Sequence, residues 1–486
     1  MEGILSYSNE KRVLVNKDAL TLLNELEEWK DIVDKAALEN VFVIDANFVE
    51  KNKRIKHKEP LNVELKKTWA AEAKNMEANY KILDEYNVNK DSFSKGKVAD
   101  FLIYFQDKFK FLDGLLRKHQ ITPKETSRLK AIPNKSEVDV IGMVNRKWTS
   151  KNGHLAIELE DFEGKCIGLV MKKDEALLRE AELAIPDSVI AIKGTKLSNE
   201  LIIAKAILFP DVQIKSEKTI AKDVSIAGIS DMHIGSKLFQ EKTFENFLKW
   251  INGNANEYSA LAENVKYLVI TGDNVDGIGI YPNQYDELAV KSISKQYEIF
   301  TELILQIPKY IEIFIIPGQH DAVRWADPQP QIPEEMAPEL YKQKNIHFLS
   351  SPGWVNIEGL KIMLYHGPAL HDLFSQVSYL NASRPAKGMA SLVKRRDLMC
   401  GYGLSRPYVP ENIDYMVMRE EPDLVFMGEH HRFDTETYRG VTVVNNSTFQ
   451  AQTAYQAELG HIPTPGIVSV INLKTRKLEQ VNLNEF

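Results

Sequence analysis

At 486 residues the chain is longer than one hydrophobic core usually organises, which predicts several folded units. Hydrophobic residues make up 44% and charged residues 27% of the sequence, a globular balance that excludes a disordered or fibrous protein. The net charge of −7 excludes nucleic-acid binding through bulk positive charge, although carboxylates gathered to hold divalent cations also give an acidic balance.

Cysteine content and apolar run length limit the cellular setting. Cys166 and Cys400 are too few and too far apart in sequence for a disulfide framework or a cysteine zinc site. Apolar stretches such as Tyr267–Ile270 are far shorter than the roughly 20 residues that span a bilayer, and the N-terminus shows no secretion signal. We therefore expect a cytoplasmic protein that has no membrane segment.

Residues 1–120 predict a helical region. Asp18–Ala37 has apolar residues at alternating four- and three-residue steps, which is typical of one amphipathic helix. Helical spacing returns at Val63–Tyr86 and at Lys97–Arg117. Residues 121–136 are polar and contain two prolines, so we expect a linker there.

Residues 137–215 change to short segments of alternating polarity separated by turn-like sequences. Five such segments, with one helical insertion at Asp174–Ala184, predict a small β-barrel of the OB type.

From residue 222 to residue 486, short apolar strands are repeatedly followed by Asp, His or Gly. This is the strand-end arrangement in which open α/β sheets place their sites. Five predicted strands deliver polar residues to one edge in this way: Asp231 and His233, Gly272 and Asp273, Gly318 to Asp321, His366 and Gly367, and Gly428 to His431.

The residue types at this edge predict a metal site. Asp231 and His233 are two residues apart in an extended segment, so both point to the same side and can hold one cation, and Glu429 and His431 can do the same. Carboxylate, amide and imidazole donors without thiolate suit Mn²⁺, Fe²⁺, Zn²⁺ or Mg²⁺. Manganese is the first choice.

The ordered motifs resemble the series D-x-H, G-D-x-x-D, G-N-H-D/E, H-G and G-H-x-H of the calcineurin-like metallophosphoesterase superfamily. The resemblance implies an α/β fold with a four-layer phosphoesterase domain, preceded here by the OB-type barrel and the helical N-terminal region. It implies two divalent metal ions bridged by Asp273, with His320 near the leaving group as general acid. The metal ligands that it implies are Asp231, His233, Asp273, Gln319, His366, Glu429 and His431.

Three longer segments, Thr271–Tyr285, Ile315–Pro330 and Val443–Gly466, look like the small, exonuclease subunit of archaeal family-D DNA polymerase. This resemblance implies a 3′-to-5′ proofreading exonuclease that assembles with a large catalytic subunit, which carries DNA synthesis. The implied substrate is a single-stranded 3′ end or a mismatched primer terminus of DNA.

Two departures from the superfamily motifs leave alternatives open. Gln319 stands where the third motif has Asn, and Glu429 stands where the fifth has its first His. Both side chains still offer an oxygen ligand. The alternatives are a catalytically inactive, architectural polymerase subunit and a stand-alone metal-dependent phosphodiesterase.

Basic residues near a predicted helix, Met389–Met399, are candidates for contacts with DNA phosphates. A solvated helix face or a subunit contact explains the same charges. The candidates are Arg384, Lys387, Lys394, Arg395 and Arg396.

Overall fold

The computed structural model describes residues 2–24, 26, 29–38, 41–52, 71–88, 94–119, 121–255, 258–458 and 460–486. The chain forms two compact units, Met1–Val63 and Glu64–Phe486. Within the described ranges, no helix is both long and apolar enough to cross a membrane. The domain boundaries predicted from the sequence, at 120, 136 and 215–222, remain predictions.

In the residues that the structure describes, the first unit has four short helices and a two-stranded parallel sheet around a small apolar core that includes Leu23 and Val33. Its elements are α1 Glu2–Glu10, β1 Leu14–Val15, α2 Lys17–Asn24, α3 Trp29–Leu38, β2 Val43–Ile44 and α4 Ala46–Asn52. The prediction of a single helix over Asp18–Ala37 is therefore wrong. Apolar spacing stays in phase across a short interruption, so it does not distinguish one helix from two.

The second unit begins with a segment in which tertiary pairing overrides helical patterning. The helix predicted over Val63–Tyr86 is wrong for its described part, because Tyr80–Ile82 forms a strand, β3, and Ile82 pairs with Val355. Residues 63–70 of that prediction lie outside the described residues. The next predicted helix is confirmed as α5, Val98–Leu116.

A closed five-stranded barrel follows. Its strand order is β4-β5-β6-β8-β7, and the β6–β8 pair is parallel. Along the chain, the helix α6 lies between β6 and β7. Helix α5 packs against the barrel, where its Phe109 and Leu112 share a core cluster with Ile141. The barrel elements are β4 Glu137–Thr149, β5 Leu155–Glu160, β6 Lys165–Val170, α6 Glu175–Glu182, β7 Val189–Lys196 and β8 Leu201–Leu208.

The remainder of the chain builds two six-stranded sheets. The first has the order β12-β11-β10-β9-β18-β19, with β9 to β12 parallel and the last two strands antiparallel. Its elements and connecting helices are β9 Ser225–Ile229, α7 Glu241–Ile251, α8 Ser259–Glu263, β10 Val265–Thr271, α9 Ile293–Ile304, β11 Glu312–Ile316, α10 Pro338–Tyr341, β12 Ile346–Phe348, β18 Ile467–Asn472 and β19 Leu478–Asn482.

The second sheet has the order β16-β17-β15-β14-β13-β3, and its central strands β14, β15 and β17 are parallel. Helix α12 packs against β16 and β17. The elements are β13 Gly353–Ile357, β14 Leu360–Leu364, α11 Ala369–Gln376, α12 Pro385–Arg395, β15 Leu424–Met427, β16 Asp434–Tyr438, β17 Val441–Asn445 and α13 Ala454–Glu458.

The two sheets share one apolar cluster, to which the first sheet contributes Val269 and Phe314 and the second Ile362 and Phe426. All four side chains are fully buried. The prediction of a mixed α/β fold is confirmed. This packing brings the carboxyl ends of β9, β10 and β11 close to those of β14 and β15, the five strands that precede the predicted site residues.

Candidate metal centre

The predicted ligands converge from both sheets. Asp231 and His233 follow β9, Asp273 follows β10, and His366 follows β14. These four side chains are buried, with exposed fractions between 0 and 2%. Burying several ionisable groups together is unfavourable unless they pair or bind metal, so their convergence marks a functional site.

The first ligand group consists of Asp231, His233 and His431. The Nε2 atoms of the two histidines are 3.1 Å apart, and Nε2 of His431 lies 3.3 Å from Oδ1 of Asp231. Asp273 adjoins this group, because its Oδ2 is 3.8 Å from Nε2 of His233. Four donor atoms therefore face one small volume.

The second group forms around His366. Its Nε2 lies 3.2 Å from Oδ2 of Asp273 and 3.0 Å from Oε2 of Glu429. Gln319 is present at the same place, and its Nε2 donates a hydrogen bond of 2.9 Å to Oε1 of Glu429. The Asp273 carboxylate thus lies between the two groups.

Backbone conformation separates the ligands from ordinary strand residues. Non-glycine residues rarely adopt positive φ, and they persist there only where the surrounding structure imposes it. Five predicted ligands have φ values between 49° and 71°: Asp231, His233, Asp273, Glu429 and His431. The fold imposes unfavourable backbone geometry in order to aim these side chains inward.

Glycine is required beside two of the ligands. A Cβ at Gly318 would lie 2.1 Å from Oδ1 of Asp273, and one at Gly428 would lie 2.5 Å from Oδ2 of Asp231. Both distances are far shorter than a van der Waals contact. Only a residue without a Cβ leaves room for these carboxylates at the two positions.

The donor set fits divalent metal ions. Within the described ranges, Nε2 of His366 and Oε2 of Glu429 are buried atoms without a hydrogen-bond partner, although they are close to each other. The neighbouring imidazoles of His366 and His371 outweigh the effect of burial and hold the pKa of Glu429 well below its usual range. An ionised carboxylate and an unpartnered imidazole nitrogen are the donors that a hard or borderline cation requires.

His320 lies beside both groups. Its backbone N–H donates to Oδ1 of Asp273 at 2.8 Å, and its Nδ1 is 2.7 Å from the carbonyl oxygen of Asp276. Burial lowers the pKa of His320, but the carboxylates of Asp273 and Asp276 raise it more, so the pKa lies above its usual value. Its Nε2 is 3.9 Å from Oδ2 of Asp273.

Sequence reasoning missed the residues that orient the ligands. Oδ1 of Asp276 is 2.8 Å from Nδ1 of His233, and Nε2 of Gln456 is 2.9 Å from Nδ1 of His431. Such partners fix the orientation of ligand imidazoles. The last Asp of the G-D-x-x-D motif was a readable signal for Asp276, whereas nothing in the sequence singled out Gln456.

Two further residues approach the second group. Nε2 of His371, on α11, is 2.8 Å from Oε1 of Glu429. Arg406 donates from Nη1 to Oε1 of Gln319 at 3.3 Å and is itself buried. Neither stands in a motif, so only the folded chain reveals them.

The candidate DNA-contacting residues lie on or next to α12. Arg395 and Arg396 are buried, and their guanidinium groups donate to the carbonyl oxygens of Met399 and Met418, so this structure does not present them to DNA phosphates. Lys394 pairs with Glu180 on the barrel. The remaining two are more accessible: Arg384, which pairs with Asp434 and Glu436, and the half-buried Lys387.

Sequence comparisons identify DNA polymerase subunits as relatives of this chain. The family of B subunits of DNA polymerases alpha and epsilon matches residues 226–435. The DNA polymerase II small subunit of Methanothermobacter thermautotrophicus is 39% identical over 389 residues, which cover 80% of this chain and 80% of that protein. The corresponding small subunit of Pyrococcus horikoshii is 38% identical over 390 residues, which cover 79% of this chain and 62% of that protein.

A solved structure of an archaeal phosphodiesterase covers 53% of this chain and 99% of its own, at 13% identity and a TM-score of 0.26. At that TM-score the likeness carries no argument about activity. The two polymerase relatives are similar over more than three quarters of this chain. On that similarity, the chain belongs to the family of archaeal DNA polymerase II small subunits.

Proposed function

We propose that this chain is the nuclease subunit of a family-D DNA polymerase and removes nucleotides from DNA 3′ ends by two-metal hydrolysis. The observation that carries the proposal is the pair of ligand groups sharing Asp273, in which each group also offers carboxylate and imidazole donors. Decay of an active site removes ligands, whereas here Glu429 keeps an oxygen donor at the second group and Gln319 keeps an amide oxygen, which accepts a hydrogen bond from Arg406.

Each ligand group would hold one divalent cation. Asp231, His233 and His431 would hold the first, and Gln319, His366 and Glu429 the second, with Asp273 bridging. Manganese is the proposed metal, because Glu429 replaces a nitrogen donor by an anionic oxygen and so favours harder cations; Mg²⁺, Fe²⁺ and Zn²⁺ are the alternatives. Such a pair binds a phosphate, offsets its charge and activates water for in-line attack.

His320 is the proposed general acid. Its Nδ1 is engaged by the carbonyl oxygen of Asp276, so Nε2 is the nitrogen that delivers a proton to the departing 3′-oxygen. The same hydrogen bond fixes the plane of the ring. His320 therefore acts on the substrate from a position beside the ligands.

The architecture supports placing this centre in a four-layer calcineurin-like domain over residues 222–486, because two sheets share a core and helices connect the strands. We also propose that the barrel is of the OB type, which its 1-2-3-5-4 order and the helix after its third strand support. The proposed partners are the large catalytic subunit, suggested by the relatives' names, and single-stranded or mismatched DNA 3′ ends.

A 3′-mismatch exonuclease assay tests the proposal. The chain, alone and co-purified with a large subunit, should shorten a 5′-labelled mismatched primer in Mn²⁺ and not in EDTA. Asp273→Asn should abolish cleavage. The matched control Asp223→Asn, just before the amino end of β9, should keep it.

The alternatives give other outcomes. A complex that co-elutes and synthesises DNA but shows no metal-dependent cleavage identifies an architectural subunit. Hydrolysis of bis(p-nitrophenyl) phosphate without cleavage of DNA identifies a phosphodiesterase of small esters.

A further inference from the structure

An exposed tryptophan stands beside the second ligand group. Trp325 follows Gln319 and His320 on the same loop after β11, and 54% of its surface is exposed. Among the tryptophans of the described chain it alone is exposed by more than half, whereas Trp250 and Trp354 are buried. A large aromatic ring that is exposed beside the second ligand group indicates a role in binding.

The indole of Trp325 packs against the buried guanidinium group of Arg406. Cζ of Arg406 lies 5.6 Å from the centroid of the Trp325 ring. Nη2 of Arg406 is 2.8 Å from Oδ1 of Asp327, and Oδ2 of that carboxylate accepts a hydrogen bond of 2.9 Å from Tyr365. A paired, buried guanidinium packed against an indole limits the motion of the ring.

The loop that carries Trp325 is also anchored on both sides of the ring. Arg324 donates from Nε to the carbonyl oxygen of Pro328 at 2.8 Å and from Nη1 to Oε1 of Glu411 at 3.0 Å. The Asp327 backbone N–H donates to the carbonyl oxygen of Pro407 at 3.1 Å. The exposed ring is therefore pre-organised, which lowers the entropic cost of binding a partner on its face.

Arg406 connects the ring to the metal centre. The same guanidinium that packs against Trp325 donates from Nη1 to Oε1 of Gln319, a predicted ligand, at 3.3 Å. One side chain thus separates the indole from the second ligand group.

We infer, on the basis of the proposed function, that Trp325 is the platform on which the 3′-terminal base of single-stranded DNA, next to the scissile phosphate, stacks. Every base has an aromatic face, so such a platform tolerates any sequence, as a proofreading nuclease requires. A base that leaves the duplex to reach this ring must also give up its pairing partner. The platform therefore favours frayed or mismatched 3′ ends over paired ones.

Binding of a short oligonucleotide tests this inference without requiring cleavage. The probes are two single-stranded hexanucleotides with a phosphorothioate terminal linkage, one complete and one lacking the 3′-terminal base. Affinity is measured in Ca²⁺ by fluorescence anisotropy. Trp325→Ala should bind the complete probe about 5- to 150-fold more weakly, the range found for loss of one base–aromatic stack.

The probe without the terminal base separates stacking from folding. Trp325→Ala should bind this probe nearly as well as the unaltered protein does, and Trp325→Phe should retain most of the affinity for the complete probe. Trp148→Ala removes another tryptophan that contacts an arginine, with Cζ of Arg146 4.9 Å from its ring, and should leave the difference between the probes unchanged.

Three outcomes would overturn the inference: no binding of either probe by the unaltered protein, an equal loss on both probes in Trp325→Ala, or full affinity in that variant. A base-dependent loss in a protein that does not cleave DNA in Mn²⁺ would leave the platform in place and refute the nuclease proposal alone.

Discussion

Replacing His371 with alanine should weaken metal binding at the second ligand group and leave the first group unchanged. In the folded chain, Nε2 of His371 donates to Oε1 of Glu429 at 2.8 Å, while Oε2 of the same carboxylate faces His366. Together with the hydrogen bond from Gln319 to the same oxygen, this hydrogen bond holds the carboxylate in the rotamer that aims Oε2 into the second ligand group. The first group, around His233, does not contain Glu429, so its metal affinity does not depend on this hydrogen bond.

The size of the effect follows from the hydrogen bond and its exposure. A hydrogen bond to a charged group contributes about 1.5 to 3 kcal/mol. The side chain of His371 is 45% exposed, so water replaces part of the interaction and the lower end applies. About 1.4 kcal/mol corresponds to tenfold in affinity. Loss of an outer partner of a metal ligand usually costs about 10- to 100-fold, which agrees.

Mn²⁺ titration followed by electron paramagnetic resonance measures both sites in one experiment. His371→Ala should show one unchanged site and one weakened about tenfold, and His371→Gln, which keeps a donor, should recover part of the loss. His347→Ala is the matched control, because it removes a histidine 2.8 Å from a carboxylate, Glu312, away from the centre. Two sites with unaltered affinity, or a loss confined to the first group, would refute the reasoning.

Three other predictions follow from the same structure. His320→Ala should keep both metals, as measured by plasma mass spectrometry, but its rate of single-turnover cleavage should fall about 10²- to 10⁴-fold. Asp273→Ala should lose metal and activity together. Near-normal cleavage by His320→Ala would show that His320 is not the general acid. Lys108→Ala should lower the free energy of unfolding, measured in urea, by about 3–5 kcal/mol. The reason is that the buried Nζ of Lys108 lies 3.0 Å from Asp397 and 3.5 Å from Asp414. A loss below about 1 kcal/mol, which is the contribution of an exposed ion pair, would contradict this prediction. Burial raises the pKa of Asp414 from 3.8 to about 6, so between these pH values the folded state keeps a proton on Asp414 that the unfolded state loses. The stability that this proton contributes is lost as the pH rises from about 4 to about 6. Asp414→Asn should abolish this part of the pH dependence of unfolding, and an identical pH dependence in both proteins would argue against the prediction.

Local patterns in the sequence specified the strands of the barrel and the strands that carry the site. Apolar runs ending in Asp, His or Gly predicted β9, β10, β11, β14 and β15, and the structure contains all five. Such runs are readable because a strand buried on both faces is apolar throughout, and a ligand must follow at its carboxyl end. The resemblance to the metallophosphoesterase motifs also marked the seven predicted ligands, which the fold brings together.

Long-range pairing decided what the patterns did not. Tyr80–Ile82 has helical surroundings in sequence but becomes an edge strand, because β13 offers it an open edge. The sequence indicated that Arg395 and Arg396 belong to a basic surface. In the structure both are buried, and their guanidinium groups donate to carbonyl oxygens of the segment that follows α12.

The sequence by itself determined the family, the fold class and the ligand types, because these depend on residue identity and short-range spacing. Only the tertiary structure decided which residues support the ligands. His371, Gln456 and Arg406 reach the centre from separate segments and belong to it only through contacts that folding creates. Long-range contacts leave no periodic trace in one sequence, so the polar residues that orient a metal centre become visible only when the sheets have packed.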